Sequence, residues 1–150
     1  MPAGQITRKF EFDSAHRVLG HESKCKHLHG HRYVAEVTVE TADLDDLGRV
    51  IDFSEVKAKV GAWIDEFWDH NILLNVKDPL LYLLARSESA EAIFAGKNPF
   101  IVPRGLNPTA EVMAMLLHDV ARSIFKGTEI TVNRVRVYET PNCWADYPVQ

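Results

Sequence analysis

Disulfide chemistry is the first thing this sequence lacks the means for. Its 150 residues hold two cysteines, Cys25 and Cys143, too few for a framework of bridges. Cys25 stands among histidines, which points instead to metal or thiol chemistry in a reducing compartment. A basic excess is lacking as well. The net charge is −4 and the pI near 6.0, so nothing advertises nucleic-acid binding, and an anionic ligand needs a local cluster to hold it. No apolar run approaches the roughly 20 residues that span a bilayer, and residues 1–12 have no apolar core of the secretory kind. A cytoplasmic protein without a membrane partner is the expectation. Internal repeats and low-complexity tracts are missing too. What remains is one domain's worth of chain, 46% hydrophobic and 25% charged, ordinary for a soluble globular fold.

Period-two alternation marks two half-buried strands. From Ile6 to His16, Ile6, Phe10, Phe12 and His16 share one parity while Lys9, Glu11 and Asp13 take the other. From Gly30 to Glu40, His31, Tyr33, Ala35, Val37 and Val39 fall on one face, with Arg32, Glu36, Thr38 and Glu40 mostly opposite. In both strands histidine is in phase with the apolar, inward side. Leu47-Gly48-Arg49 reads as a turn. A helix is expected to start near Asp52, with Glu55 as a capping-box-like partner and Val56, Val60, Trp63, Ile64 and Phe67 as its apolar stripe. A second helix is expected after Asn107, with Pro108 at the first helical position. Val112, Met113, Leu116, Leu117, Val120 and Ile124 form its buried face, and Gly127 ends it. Glu129 to Tyr138 reads as a third strand whose parity changes between Val132 and Val135, predicting a bulge near Asn133-Arg134. Cys143 to Tyr147 reads as a short last strand. Between the helices, residues 76–106 read as an inserted segment, with a short helix at Leu80 to Arg86 and an extended piece at Phe100 to Val102. The expectation is a single α+β domain over residues 1–150, two helices packed on one face of an antiparallel sheet.

The densest chemical feature is Cys25-Lys-His27-Leu-His29-Gly-His31, with His16 upstream. In a strand, positions i and i+2 point the same way about 7 Å apart, so His29 and His31 can converge on one ion. Gly30 between them permits a close approach. An imidazole from the neighbouring strand, His16, makes three ligands, which leaves a tetrahedral position open as in a catalytic zinc site. Imidazole also suits other transition metals. His27 shares the parity of His29 and His31 and is a further candidate, whereas His21 in a loop and His118 on a helix read as structural. Cys25 is open to two readings: a fourth ligand that closes the site, or a nearby thiolate with a pKa lowered by metal and adjacent basic groups. Asp69-His70, at the end of the first helix, joins a carboxylate to an imidazole that can be oriented for proton transfer, though such pairs also commonly end helices. Glu139, at a strand end, reads by itself as a solvated charge.

Taken in order, Phe12-Asp-Ser-Ala-His16, Cys25-x-x-x-His29-Gly-His31, Ile51-Asp-Phe53, Asp69-His70, Pro108-Thr-Ala-Glu111 and Val137-Tyr-Glu-Thr140 resemble the 6-pyruvoyl-tetrahydropterin synthase family. The resemblance spans nearly the whole chain apart from residues 76–106. It implies a tunnelling fold, with a four-stranded antiparallel sheet and two helices, assembled through its strands into an oligomeric barrel. The family pattern is a hexamer with active sites between subunits. It further implies that His16, His29 and His31 bind Zn2+, that Cys25 is the general base, and that Asp69 and His70 form a proton relay. Glu139 would anchor the pterin ring and assist that relay. The substrate implied is the small molecule 7,8-dihydroneopterin triphosphate. Three residues between Cys25 and His29, together with Ile51-Asp-Phe53, resemble the 6-carboxytetrahydropterin branch, a step toward queuosine, more than the pyruvoyl branch. Cys143 is given no role.

Overall fold

The computed structural model describes residues 2–91 and 95–149 of the chain. Its centre is a long antiparallel pair, β1 (Gly4–His16) and β2 (His29–Thr41), in continuous register from Gly4 opposite Thr41 to His16 opposite His29. Burial along β1 alternates as its sequence alternates, with Phe10, Phe12, Ser14 and His16 inward. β5 (Thr131–Thr140) pairs antiparallel with β2, and β6 (Cys143–Tyr147) with β5. The expected bulge is present: Thr38 faces Arg134 but Val39 faces Val132, so Asn133 is the extra residue that restores Val132 and Val135 to the core side.

The sheet is larger than expected and not wholly antiparallel. Two further strands, β3 (Asn71–Asn75) and β4 (Phe100–Val102), extend it beyond β1, giving the order β4-β3-β1-β2-β5-β6. β3 runs parallel to β1 along Ser14–His16, and β4 parallel to β3. The antiparallel four-stranded unit survives as β1-β2-β5-β6 within a six-stranded mixed sheet. Asn-Ile-Leu-Leu-Asn is a short apolar run without alternation, because β3 is covered on both faces, and that pattern by itself does not separate strand from helix.

The first helix, α1, runs through α-helical Phe53–Val56, a π-helical turn at Lys57–Gly61 and α-helical Ala62–Phe67. Asp52 caps it by accepting from the Ser54 N–H at 2.8 Å, so the cap closes on Ser54 and not through Glu55. Its core residues are Val56, Val60, Ile64 and Trp68, each four apart, while Phe67 is exposed. In a regular α-helix a spacing of four drifts by about 40° per step. The wider π turn absorbs that drift and keeps the row facing the sheet. α2 (Pro79–Arg86) begins the inserted segment, and α3 (Ala110–Ile124) crosses the sheet beside α1. The α3 cap is Thr109, whose side chain accepts from the Val112 N–H, so Pro108 lies ahead of the helix and not at its first position. Its deepest face is Ala110, Met113, Ala114, Leu117, His118 and Ala121, rotated from the expected stripe. The small alanines sit against the sheet, and Val112, Leu116 and Val120 move to the half-buried flank. Both α1 and α3 pack on the face that carries Phe10, Phe12, Tyr33, Val37 and Val135.

The described residues of 76–106 are not a free loop. Asp78 caps α2 through the Leu80 N–H, and its carboxylate, shielded from solvent, is gripped by two Arg17 nitrogens at 2.6 Å each. Among the described residues, no helix is long and apolar enough to cross a membrane.

Candidate metal centre

The register that puts His16 opposite His29 also puts Ser14 opposite His31, so three inward imidazoles meet where β1 ends and β2 begins. Their ring centroids are 4.7, 5.1 and 4.8 Å apart, each pair edge to face. One ring nitrogen from each lies within 4.8 Å of the others. Gly30 has a structural reason to be glycine: a Cβ there would stand 3.2 Å from the Ser14 carbonyl oxygen, forcing apart the two strands that carry the triad.

Hydrogen bonding fixes which nitrogens face inward. His16 Nδ1 lies 2.6 Å from the Pro108 carbonyl, and His29 Nδ1 2.7 Å from the His27 carbonyl. A carbonyl can only accept, so both Nδ1 atoms donate, and in the neutral rings both Nε2 atoms present lone pairs. Those two lone pairs point at one another across 3.1 Å. His31 Nε2 is buried with no hydrogen-bond partner. Burial holds His16 and His31 below the ordinary histidine range, and the neighbouring rings add to that; Pro108 (at His16) and Glu139 (at both) only partly oppose it. Neutral imidazoles with converging lone pairs repel each other unless a cation sits among them. The donor set therefore fits a divalent transition metal, with backbone carbonyls as the outer partners that orient the rings.

The floor is aromatic. Tyr33 follows His31 on the same face, edge-on to His16 and His31 at 5.9 and 5.5 Å, and stacks on Phe12 at 5.3 Å. Burial raises the Tyr33 hydroxyl well above the usual tyrosine range, so it stays protonated. The ceiling is polar. Asn107 accepts from the Leu19 and Asn75 N–H groups at 3.0 Å and donates to the Leu19 carbonyl at 2.9 Å. This pins the chain just before Pro108, whose carbonyl holds His16. Sequence reading gives Tyr33, Asn107 and Pro108 no part in the site. The inward parity of Tyr33, in phase with His31, and the place of Pro108 in the Pro108-Thr-Ala-Glu111 motif are the signals that could have found two of them.

The remaining candidates divide. Glu139 joins the triad: its Oε1 lies 3.4 Å from His16 Nε2 and 3.6 Å from His31 Nε2. His27 does not; it is exposed ahead of β2 and contributes its carbonyl. Cys25, a free half-buried thiol on the single 3-10 turn Lys24–Lys26, is not among the ligand atoms that converge. His21 accepts from the Ser23 N–H, and His118 is buried on α3 against Tyr147; neither is among the atoms that converge with the triad. Asp69 and His70 form a separate cluster with Asp13, on the opposite parity of β1 from His16. His70 Nδ1 is 3.0 Å from Asp69 Oδ2, the Asp13 N–H donates to Asp69 Oδ1 at 3.0 Å, and the His70 N–H donates to the Asp13 carbonyl at 2.7 Å. Burial alone would raise the Asp69 carboxyl, but the Asp13 N–H and His70 outweigh it and hold the group below the usual carboxylate range. His70 has φ +53°, a left-handed conformation costly for a side-chain-bearing residue, and its imidazole is 75% exposed. A cleft of about 520 Å³ opens beside it, lined also by Asp13, Gly30 and His31.

Comparison with known proteins agrees with this geometry. The family model described as 6-pyruvoyl tetrahydropterin synthase matches residues 5–149. A Rickettsia bellii protein named 6-carboxy-5,6,7,8-tetrahydropterin synthase is 36% identical over 143 residues, covering 95% of this chain and 98% of its own. An Aquifex aeolicus protein of the same name is 32% identical, covering 95% and 96%. Among solved structures, an uncharacterized protein from Wolinella succinogenes superimposes with a TM-score of 0.81 at 26% identity, covering 95% and 96%. The 6-pyruvoyl tetrahydropterin synthase of Caenorhabditis elegans shares the fold, with a TM-score of 0.67 at 20% identity over 100% and 98% of the chains. With the triad at the mouth of β1 and β2 and a match along almost its full length, the chain belongs to the 6-pyruvoyl tetrahydropterin synthase family.

Proposed function

We propose that the protein is a zinc-dependent 6-carboxy-5,6,7,8-tetrahydropterin synthase, a lyase converting 7,8-dihydroneopterin triphosphate and water to the 6-carboxy product, acetaldehyde and triphosphate. The observation that carries this reading is the convergence of one imidazole nitrogen each from His16, His29 and His31 within 4.8 Å of one another. The choice of the carboxy product over the pyruvoyl product is supported by relatives of that name at 36% identity over 95% of the chain.

In this reading the three histidines hold Zn2+, with His16 and His29 oriented by the Pro108 and His27 carbonyls. Bound zinc supplies a Lewis acid that lowers the pKa of a substrate hydroxyl and stabilises developing oxyanion charge. Cys25 is the general base that takes a proton from the substrate side chain. His70, oriented by Asp69, returns a proton to the neighbouring oxygen. Glu139 accepts hydrogen bonds from the amino-pyrimidine edge of the pterin, which a carboxylate can receive in pairs. The Asp69–His70 cluster gathers around Asp13, on the opposite parity of β1 from His16, and an imidazole 75% exposed needs enclosure to relay protons. A neighbouring subunit supplies that enclosure in a homo-oligomer, a hexamer in this reading. Among the described residues, the edge of β6 and residues Gly4–Asp13 of β1, which β3 leaves unpaired, support such an assembly. The described residues of 76–106 belong to the same domain, tied through Asp78 to Arg17, the residue after His16.

The test is to incubate zinc-loaded protein with 7,8-dihydroneopterin triphosphate and measure acetaldehyde and triphosphate separately. Equimolar release of both is expected. Triphosphate without acetaldehyde would assign the pyruvoyl reaction, and no pterin product would remove the lyase reading.

A further inference from the structure

Three imidazoles account for the triad, yet a fourth acceptor is aimed at it. Glu139 ends β5 just beyond the Val34–Tyr138 pairing, which brings its carboxylate over the mouth of β2. Its Oε1 faces the Nε2 atoms of His16 and His31 at 3.4 and 3.6 Å. The Nδ1 hydrogen of His16 is already committed to the Pro108 carbonyl, so the atom facing Glu139 is a lone pair. A carboxylate oxygen against the His16 lone pair is a contact between acceptors, favourable only with a cation among them. The separations agree with that. Donor atoms bound to a tetrahedral ion at the usual zinc distances stand about 3.3–3.5 Å apart, and the measured values here are 3.1 Å between His16 and His29, then 3.4 and 3.6 Å to Glu139.

We propose that Glu139 is the fourth ligand of the metal centre in the substrate-free enzyme, closing the tetrahedral position and yielding it when substrate arrives. The inference rests on the zinc-centre reading above and deepens it. His16 is 1% exposed and held through Nδ1 by the Pro108 carbonyl, whereas the Glu139 side chain is 30% exposed at a strand end, so Glu139 is the ligand able to leave. While bound it keeps water and small anions off the ion. Once displaced, the same carboxylate is free, within reach of the site, to accept hydrogen bonds from the ligand that displaced it. One carboxylate cannot do both at once, so the two roles alternate.

The experiment compares wild type with Glu139→Gln, reading Zn2+ affinity by competition with a chromophoric chelator and the visible spectrum of Co2+-loaded protein titrated with azide. Outer partners of metal ligands are worth 10–100-fold in affinity, so losing a direct ligand weakens Zn2+ binding by at least about tenfold. At azide concentrations that saturate the variant, the wild-type Co2+ spectrum stays unchanged while that of the variant shifts. Equal Zn2+ affinity in the two proteins, or an azide response in wild type matching the variant, overturns the proposal. Should the variant fail to fold, the wild-type azide titration decides alone, since a spectral change refutes a filled fourth position. Failure of the three-histidine reading looks different: neither protein takes up metal, and both claims fall.

Discussion

Replacing Asn107 with Ala probes how the fold orients the metal centre without touching a ligand. The side chain makes three hydrogen bonds, accepting from Leu19 and Asn75 and donating to Leu19, all at 2.9–3.0 Å in partly buried surroundings. Each is worth about 1 kcal/mol net. The Leu19 groups can find water in part, so the fold loses about 2–3 kcal/mol. The metal centre loses something separate. Asn107 fixes the backbone before Pro108, and the Pro108 carbonyl sets the His16 tautomer and ring angle at 2.6 Å. Disturbing such an outer partner lowers metal affinity 10–100-fold, which is about 1.4–2.7 kcal/mol at 1.4 per tenfold. Urea unfolding of the metal-free protein measures the first effect, and chelator competition for Zn2+ on the folded protein measures the second. An Asn107→Ala protein that is less stable but binds Zn2+ as tightly as wild type would refute the claim that this network orients His16.

Three further outcomes are expected. Asp78→Asn removes the two-pronged grip of Arg17 on a buried carboxylate and destabilises the fold by about 2–4 kcal/mol, less than a fully buried pair because Arg17 is 25% exposed. Burial opposes ionisation of Asp78, but Arg17 and the Leu80 N–H outweigh it and hold the carboxyl below its usual value. Its contribution is therefore complete above about pH 4 and is lost as the pH falls lower, so urea midpoints of wild type and variant should converge in acid. His70→Gly relieves the φ of +53° and leaves stability equal or up to about 1 kcal/mol higher while turnover is lost, read by thermal melts beside the product assay. Gly30→Ala, with a Cβ 3.2 Å from the Ser14 carbonyl, spreads β1 from β2 and weakens Zn2+ binding in chelator competition while the fold remains.

Much of this was legible because apolar residues alternate along both long strands, although in β2 the residues Ala35 to Val39 are buried on both faces, Glu36 and Thr38 included. The alternation from Ile6 to His16 and from Gly30 to Glu40 gives their faces, and the phase of His16, His29 and His31 puts all three inward. The parity change at Val132 and Val135 gave away the Asn133 bulge. β3 was hidden because a strand covered on both faces has no alternation to read. The stripe on α1 was misread at Phe67 because a π turn changes the period within the helix, and nothing in Lys57–Gly61 announces it. Pro108 touches His16 from 92 positions away through a backbone carbonyl, and Asn107 holds Leu19 from 88 positions away through its side-chain amide; neither contact depends on a residue type that announces it. The meeting of Glu139 with His16 and His31 depends on a tertiary pairing that periodicity cannot supply.

The central claim is that His16, His29 and His31 grip a single ion through their Nε2 atoms. Anomalous diffraction at the zinc absorption edge, on crystals of zinc-loaded protein, tests it most directly. One peak per chain is predicted, about 2.0–2.1 Å from each of the three Nε2 atoms. A peak at Asp13, Asp69 and His70 instead, or none at the triad, would contradict it.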